Sequence, residues 1–163
     1  MKKIKLTQGQ YAIVDDADYE ELSKHKWCAK YSKCTNSFYA VRMSFVKKSK
    51  RLVISMAREI LGLKYKDKRQ ADHQNHNTLD NRQDNLRICT AQQNHMNRKS
   101  LPNSSSRFKG VSWHKLAKKW SAQIFVNKKL RFLGYFDVEI FAALAYNVAA
   151  RKYFGEFACL NLI

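Results

Sequence analysis

The sequence predicts an α+β fold, and three observations carry that expectation. Short runs of alternating apolar and polar residues, such as FYAVRM (38–43) and KWSAQIFV (119–126), recur along the chain. A period of two marks half-buried strands. Three such runs and one helix close the chain as a small α+β module. The one long helical stretch, VEIFAALAYNVAARKYF (138–154), follows the last group of strands.

Taken in order, residues 4–7 and 11–14 read as strands about a turn at Gly9–Gln10. A short helix is expected to start at Asp16 or Asp18 and run through Leu22. WCAKY (27–31) and FYAVRM form a strand pair about the polar turn SKCTNS. Arg51–Ile54 is a further strand, and Met56–Leu61 a short helix stopped by Gly62. Residues 72–85 are dominated by Asp, Asn, His and Gln and read as a loop. LRICT (86–90) is a short strand whose last residue, Thr90, is a good N-cap for the helix AQQNHMN. The stretch RKSLPNSSSR (98–107) contains the only proline, Pro102, and reads as a linker. After it the pattern resets. FKGVSW (108–113), KWSAQIFV and LRFLGYF (130–136) alternate as strands, separated by turns at HKLAK and NKK. Asp137 is expected to cap the final helix, which ends at Gly155. The alanines of that helix permit close approach to a sheet.

The charge balance narrows the function. Among 163 residues there are 31 Lys+Arg and 13 Asp+Glu, a net charge of +18. Such an excess repels itself unless a polyanion neutralises it, which argues against small neutral substrates and acidic protein functions. Residues 1–60 carry a net +7, residues 61–97 only +2 and residues 98–163 +9. A nearly neutral stretch inside a basic chain suits a cation site beside a nucleic acid. No segment has the roughly 20 apolar residues that span a membrane, and the start, MKKIKLTQGQ, lacks the apolar core of a signal peptide. The expected compartment is the cytoplasm, with no membrane partner and no obligate protein partner. The cysteines, Cys28, Cys34, Cys89 and Cys159, form no CxxC pair. They read as reduced, mostly buried thiols and not as a zinc site or disulfide framework.

The chemistry lies in ADHQNHNTLDNRQDNLRICTAQQNHMN (71–97). Phosphodiester hydrolysis needs a base for water, a metal for the phosphate and leaving oxygen, and a group that orients the base. His73 titrates near neutrality, Asp72 is a hard oxygen ligand, Asn85 carries an amide that can fix an imidazole, and Asn94 offers a second oxygen. Asn77, Asp80 and Asn81 read as residues that shape the loop, and His76 as a surface histidine. Asp72–His73, HNTLDNR (76–82), Asp84–Asn85–Leu86–Arg87, Thr90 and Asn94 together resemble the HNH endonucleases of the phage and homing type. The resemblance implies a ββα-metal finger over about residues 70–97, within a nuclease domain 1–97 whose first 60 residues are a strand-rich lead-in. It implies His73 as general base, Asn85 as its orienting residue, and Asp72 and Asn94 as metal ligands. Many family members have His at the Asn94 position; an amide oxygen favours Mg²⁺ or Mn²⁺ over zinc. His95 competes with Asn94, and the family spacing falls on Asn94. Adjacent strand residues point to opposite faces, so Asp72 and His73 can share a site only at a twisted strand end.

Residues 107–162 resemble the Apetala-two (ethylene-response-factor-type) DNA-binding domain, through FKGVSW, KKWSAQI, LRFLGYFD, AALAYNVAARKYFG and FACLNLI. This implies a three-stranded antiparallel sheet packed on one helix over 108–163, with the sheet in the major groove of double-stranded DNA. Alternation places Trp120, Ala122, Ile124 and Val126 toward the helix and Ser121, Gln123 and Phe125 away from it. The expected DNA contacts are Lys109, Ser112, His114, Gln123, Phe125, Arg131 and Phe132, with Gln123 as a reader of adenine. Several arginine positions of that family are here Ser112, His114 and Phe125. The function expected is a metal-dependent DNA endonuclease, nicking or cutting both strands, in a phage or homing setting in a bacterial cell. The alternative is a DNA-binding regulator with an inactive nuclease half.

Overall fold

The computed structural model describes residues 1–47, 50–100 and 104–163. The chain divides into two compact units, Met1–Asn94 and His95–Ile163. Pro102, which marked the expected linker, lies outside the described residues. The α+β class holds: the strands form small antiparallel sheets beside short helices.

The first unit opens with an antiparallel hairpin of β1 (Lys2–Lys5) and β2 (Tyr11–Val14). β1 begins earlier than its apolar run suggested, because Leu6 already belongs to the turn, its N–H donating to Gln10 O. Helix α1 (Asp16–Ser23) carries Asp16 and Asp18 in its first turn, where the helix dipole favours carboxylates. Strands β3 (Cys28–Ser32), β4 (Ser37–Lys47) and β5 (Lys50–Ser55) follow as an antiparallel meander, and helix α2 (Met56–Ile60) packs after them. Ala29 pairs with Ala40 across β3 and β4. Both are buried with Ala12, Val14, Leu22, Trp27 and Met56 in one apolar cluster. The buried Trp27 indole is satisfied by Leu22 O at 2.8 Å.

The expected loop from residue 72 is corrected at its start. Gln70–His73 is a strand, β6, paired antiparallel with β7 (Leu86–Cys89), with Asp72 opposite Arg87. Polar side chains hid this strand from a reading based on apolar alternation. Helix α3 (Ala91–Met96) comes next. Thr90 Oγ1 accepts the Gln93 N–H at 3.2 Å and Gln93 Oε1 accepts the Thr90 N–H at 2.8 Å, a reciprocal capping box.

In the second unit the strands β8 (Val111–His114), β9 (Lys119–Val126) and β10 (Lys129–Phe136) form a sheet with β9 in the centre. Helix α4 (Glu139–Phe154) covers one face. Ala122, Ile124 and Val126 are buried on that side among Ala142, Ala143, Tyr146, Ala149 and Ala150. Gly110 precedes β8 at φ +74°, where an added Cβ would lie 2.1 Å from the Tyr146 ring. Only glycine permits that approach, so the strand expected from Phe108 starts at Val111 instead. Asp137 does not cap α4. Val138 holds the N-cap position, and the Asp137 carboxylate pairs with Lys119 at 3.1 Å. The cysteines are all free, but Cys28 and Cys34 are exposed, at a strand end and in a hairpin turn, against the expectation of mostly buried thiols. Among the described residues, no helix is long and apolar enough to cross a membrane.

Candidate functional site

His73 is the last residue of β6. Its neighbour Asp72 is 5% exposed and His73 itself 8%. The His73 Nε2 lies 3.2 Å from Asn81 Oδ1. An amide oxygen can only accept, so in this arrangement Nε2 carries the proton and the lone pair sits on Nδ1. Burial pushes the His73 pKa below 6.5, and the Asn81 hydrogen bond and the charges of Asp72 and Asp80 oppose that shift. The ring meets Tyr39 edge-on at 6.4 Å between centroids. His73 and Asn94 line one cleft of ≈ 200 Å³ together with Tyr39, Ser55, Arg58 and Gln70.

The other expected site residues are placed as follows. Asp72 Oδ2 accepts from Arg87 at 2.8 Å, so the buried carboxylate is neutralised from the facing strand. Asn94 Nδ2 donates to Gln70 Oε1 at 2.7 Å, which fixes the amide on the cleft wall. His95, its competitor as a ligand, is exposed. Asn85 differs from its expected role. Its Oδ1 accepts the Asn75 N–H at 2.9 Å and its Nδ2 donates to Asp80 O at 2.7 Å, so its amide holds the loop and Asn81 holds the imidazole. Sequence reasoning left Asn81 as a loop former, since the irregular chain between it and His73, eight positions apart, has no period to reveal the contact.

The loop is built to fix Asn81. Asp80 is clamped by Arg82 through two bonds of 2.7 Å and accepts from Asn75 Nδ2 at 2.9 Å. The Arg82 guanidinium holds the Asp80 pKa below the usual carboxylate value. The chain on either side is stitched to β2: Ile13 N–H donates to Leu79 O and Asn81 N–H to Ile13 O, both at 2.8 Å. Gln83 N–H donates to Asp15 Oδ2 at 2.8 Å and Thr78 Oγ1 to Phe38 O at 2.5 Å. The lead-in thus acts as the frame of the loop.

Among the described residues, no cluster of three or more His, Cys, Asp or Glu could hold a metal. The expected donors are the Asp72 carboxylate and the Asn94 amide; Asn94 lines the cleft, and Asp72 is not among its lining residues. Hard oxygen donors in this number fit Mg²⁺, which takes few protein ligands and completes its shell with water and phosphate. They do not fit zinc, whose structural sites are closed by Cys and His.

In the second unit, the sheet face away from α4 presents Ser112, Phe125 and Phe132 as exposed side chains, with His114 and Gln123 partly so. Gln123 Nε2 donates to Ser121 Oγ at 3.2 Å. Tyr135, unremarked in the sequence, belongs to this face: its ring lies 5.0 Å from His114 and 4.8 Å from Phe132. Two of the expected contacts do not lie on this face. Arg131 pairs with Ile124 in register and stacks over Tyr153 of α4 at 5.2 Å, which puts it on the helix side. Lys109 turns its ammonium to Met96 O, and burial lowers its pKa. Asn161 brackets the Lys109 backbone, its Oδ1 accepting the N–H at 2.7 Å and its Nδ2 donating to the carbonyl at 3.1 Å.

No profile of an established protein family matches the chain. An uncharacterized HNH endonuclease of Acanthamoeba polyphaga mimivirus is 31% identical over 157 residues, 96% of this chain and 77% of that protein. The APETALA2-like protein 2 of Oryza sativa, in subspecies indica and japonica, is 42% identical over 59 residues, 35% of this chain and 13% of the plant protein. The plant match is confined to one segment, whereas the viral match runs along nearly the whole chain and includes the two strands and helix that carry His73. On that near full-length likeness, this chain belongs to the HNH endonuclease family.

Proposed function

We propose that the protein is a metal-dependent DNA endonuclease that hydrolyses phosphodiester bonds in double-stranded DNA and is held on DNA by its second unit. The observation that carries the reading is His73: a buried imidazole, its Nε2–H bonded to Asn81, on the wall of a cleft that also holds Asn94. His73 Nδ1 takes the proton of an attacking water. Asn81 keeps the ring in the tautomer that makes this possible, and it lowers the cost of the imidazolium that forms. Asp72 and Asn94 would hold Mg²⁺ or Mn²⁺. Such an ion neutralises charge on the scissile phosphate and leaving oxygen. Asp72 also stabilises the charged imidazole by its nearness, while Arg87 across the β6–β7 pair holds its carboxylate in place.

The domain plan of the proposal is a nuclease domain over 1–97, a linker at 98–107 and a DNA-binding domain over 108–163. Phosphate contacts position the chain and a few base contacts bias where it cuts. A phage or homing role is the setting that this activity suits. The test is nicking of supercoiled plasmid with Mg²⁺, with EDTA as control. The parent is expected to nick and His73→Ala to slow it about 10²- to 10⁴-fold. A His73→Ala variant that nicks at the parental rate would remove His73 as the base.

A further inference from the structure

The sheet face away from α4 has a composition that the DNA-binding reading does not by itself explain. It carries no arginine, because Arg131 lies on the helix side. Arginine is the commonest reader of guanine, through O6 and N7. In its place stands Gln123, between two phenylalanines. Phe132 is its cross-strand neighbour and Phe125 lies two residues along β9 on the same face. Both rings are open to solvent, at 56% and 57% exposure, so they are not there to fill a core.

Gln123 is also oriented. Ser121, on the same face, is 2% exposed. β8 and β10 flank β9, so the His114–Tyr135 ring contact passes over β9 at Ser121, the residue opposite Tyr135 and Ser112. The shielded hydroxyl accepts one amide hydrogen of Gln123. That bond anchors the amide with its nitrogen end toward the hydroxyl. The second amide hydrogen and Oε1 then match the N7 acceptor and N6 donor of adenine. Guanine sets O6, an acceptor, where Oε1 needs a donor. Phenyl rings on either side suit the C5-methyl of thymine, the one apolar group on the major-groove edge. Lysines sit at both ends of β9: Lys115 and Lys118 in the turn before it, Lys128 in the turn after it and Lys129 at the start of β10, all exposed. A polar and aromatic centre rimmed by cations at both ends complements a groove with phosphates along its walls.

We propose that this face selects A·T base pairs from the major groove, with Gln123 reading adenine, Phe125 and Phe132 contacting thymine methyl groups, and Ser121 acting as the positioning residue for Gln123. The inference rests on the DNA-anchoring reading and adds its base preference. It is tested with the full chain in EDTA, binding 20-base-pair duplexes measured by fluorescence anisotropy. Three probes are compared: a mixed A·T duplex, the same duplex with every thymine replaced by deoxyuridine, and a G·C duplex. The A·T duplex is expected to bind at least fivefold tighter than the G·C duplex, and deoxyuridine to weaken it at least threefold. Both differences should shrink toward unity in Phe125→Ala/Phe132→Ala, whose exposed rings can be removed without opening the core. Gln123→Ala should reduce the A·T over G·C preference to about the size of the thymine over deoxyuridine one, which it keeps. Equal binding of the thymine and deoxyuridine duplexes would overturn the proposal and leave DNA anchoring intact, since a minor-groove preference for A·T does not sense the methyl. Tighter binding to the unpaired strands than to the duplex would also overturn it. Failure to bind any duplex would overturn the anchoring reading along with it.

Discussion

At the scale of single residues, the decisive pair is His73 and Asn81. A general base must be neutral to act, so the rate rises with pH as the imidazole loses its proton. Burial holds the His73 pKa below 6.5, which places the acidic limb of kcat/KM below that value. Asn81 is 1% exposed and its Oδ1 is the acceptor for the ring. Asn81→Ala is expected to slow cleavage about 10- to 100-fold, less than removing the base itself. Asn81→Asp adds a negative charge beside the ring, which favours the protonated form. Its acidic limb should therefore move to higher pH. A pH–rate profile of the two variants checks both statements, and an Asn81→Asp limb that stays in place would mean that the ring being titrated is not His73.

At the scale of elements, β2 is tied to the proposed catalytic centre although none of the proposed site residues lies on it. Ile13 receives and donates one backbone bond each to the loop that carries Asn81. Proline there keeps the carbonyl but removes the N–H that reaches Leu79, a loss of about 1–3 kcal/mol for the partner left unsatisfied. Ile13→Pro is expected to lower nicking far more than it lowers DNA binding, measured side by side on one preparation. The second unit has its own sensitive point at Gly110. An alanine there would meet the Tyr146 ring at 2.1 Å with φ at +74°, so Gly110→Ala should destabilise that unit by about 2–4 kcal/mol, read by urea denaturation. These elements also show where the sequence was readable. β9 and α4 were legible because apolar alternation and an alanine-rich face are local signals, and the Thr90 cap was legible because its partner Gln93 lies three residues on. β6 was not, because Gln70, Asp72 and His73 owe their strand to β7, fifteen or so residues away, and satisfy their burial by polar contacts. The same holds for the site. Asp72, His73 and Asn94 could be picked out by type and order, but the exchange of roles between Asn85 and Asn81 depends on how the loop closes against β2, which no local pattern records. Arg131 was the reverse case: its alternation from Phe132 already pointed to the helix side, and its charge alone named it as a DNA contact.

At the scale of the whole molecule, the charge of +18 is not spread evenly over groups that can meet DNA. Several basic side chains are already committed within the protein. Arg42 pairs with Glu59, Arg69 with Asp67, Arg82 with Asp80 and Arg87 with Asp72. These four pairs hold the first unit and its candidate site together, and they release no counterion on binding. In the proposed DNA complex the excess therefore acts through exposed lysines, among them Lys115, Lys118 and Lys128 in the turns beside β9 and Lys129 at the start of β10. Binding driven by counterion release makes the logarithm of affinity fall linearly with the logarithm of salt, by about 0.9 for each phosphate neutralised. The full chain in EDTA should show a slope of at least about −5. Changing these four lysines to glutamine should flatten it by about 3 to 4, because each phosphate contact contributes close to one. Changing Arg69 to glutamine should leave the slope where it is. A slope that ignores the four lysines would show that the second unit does not meet the phosphates through the rim of its sheet, and the face bearing Gln123 would then have no means of being held in a groove.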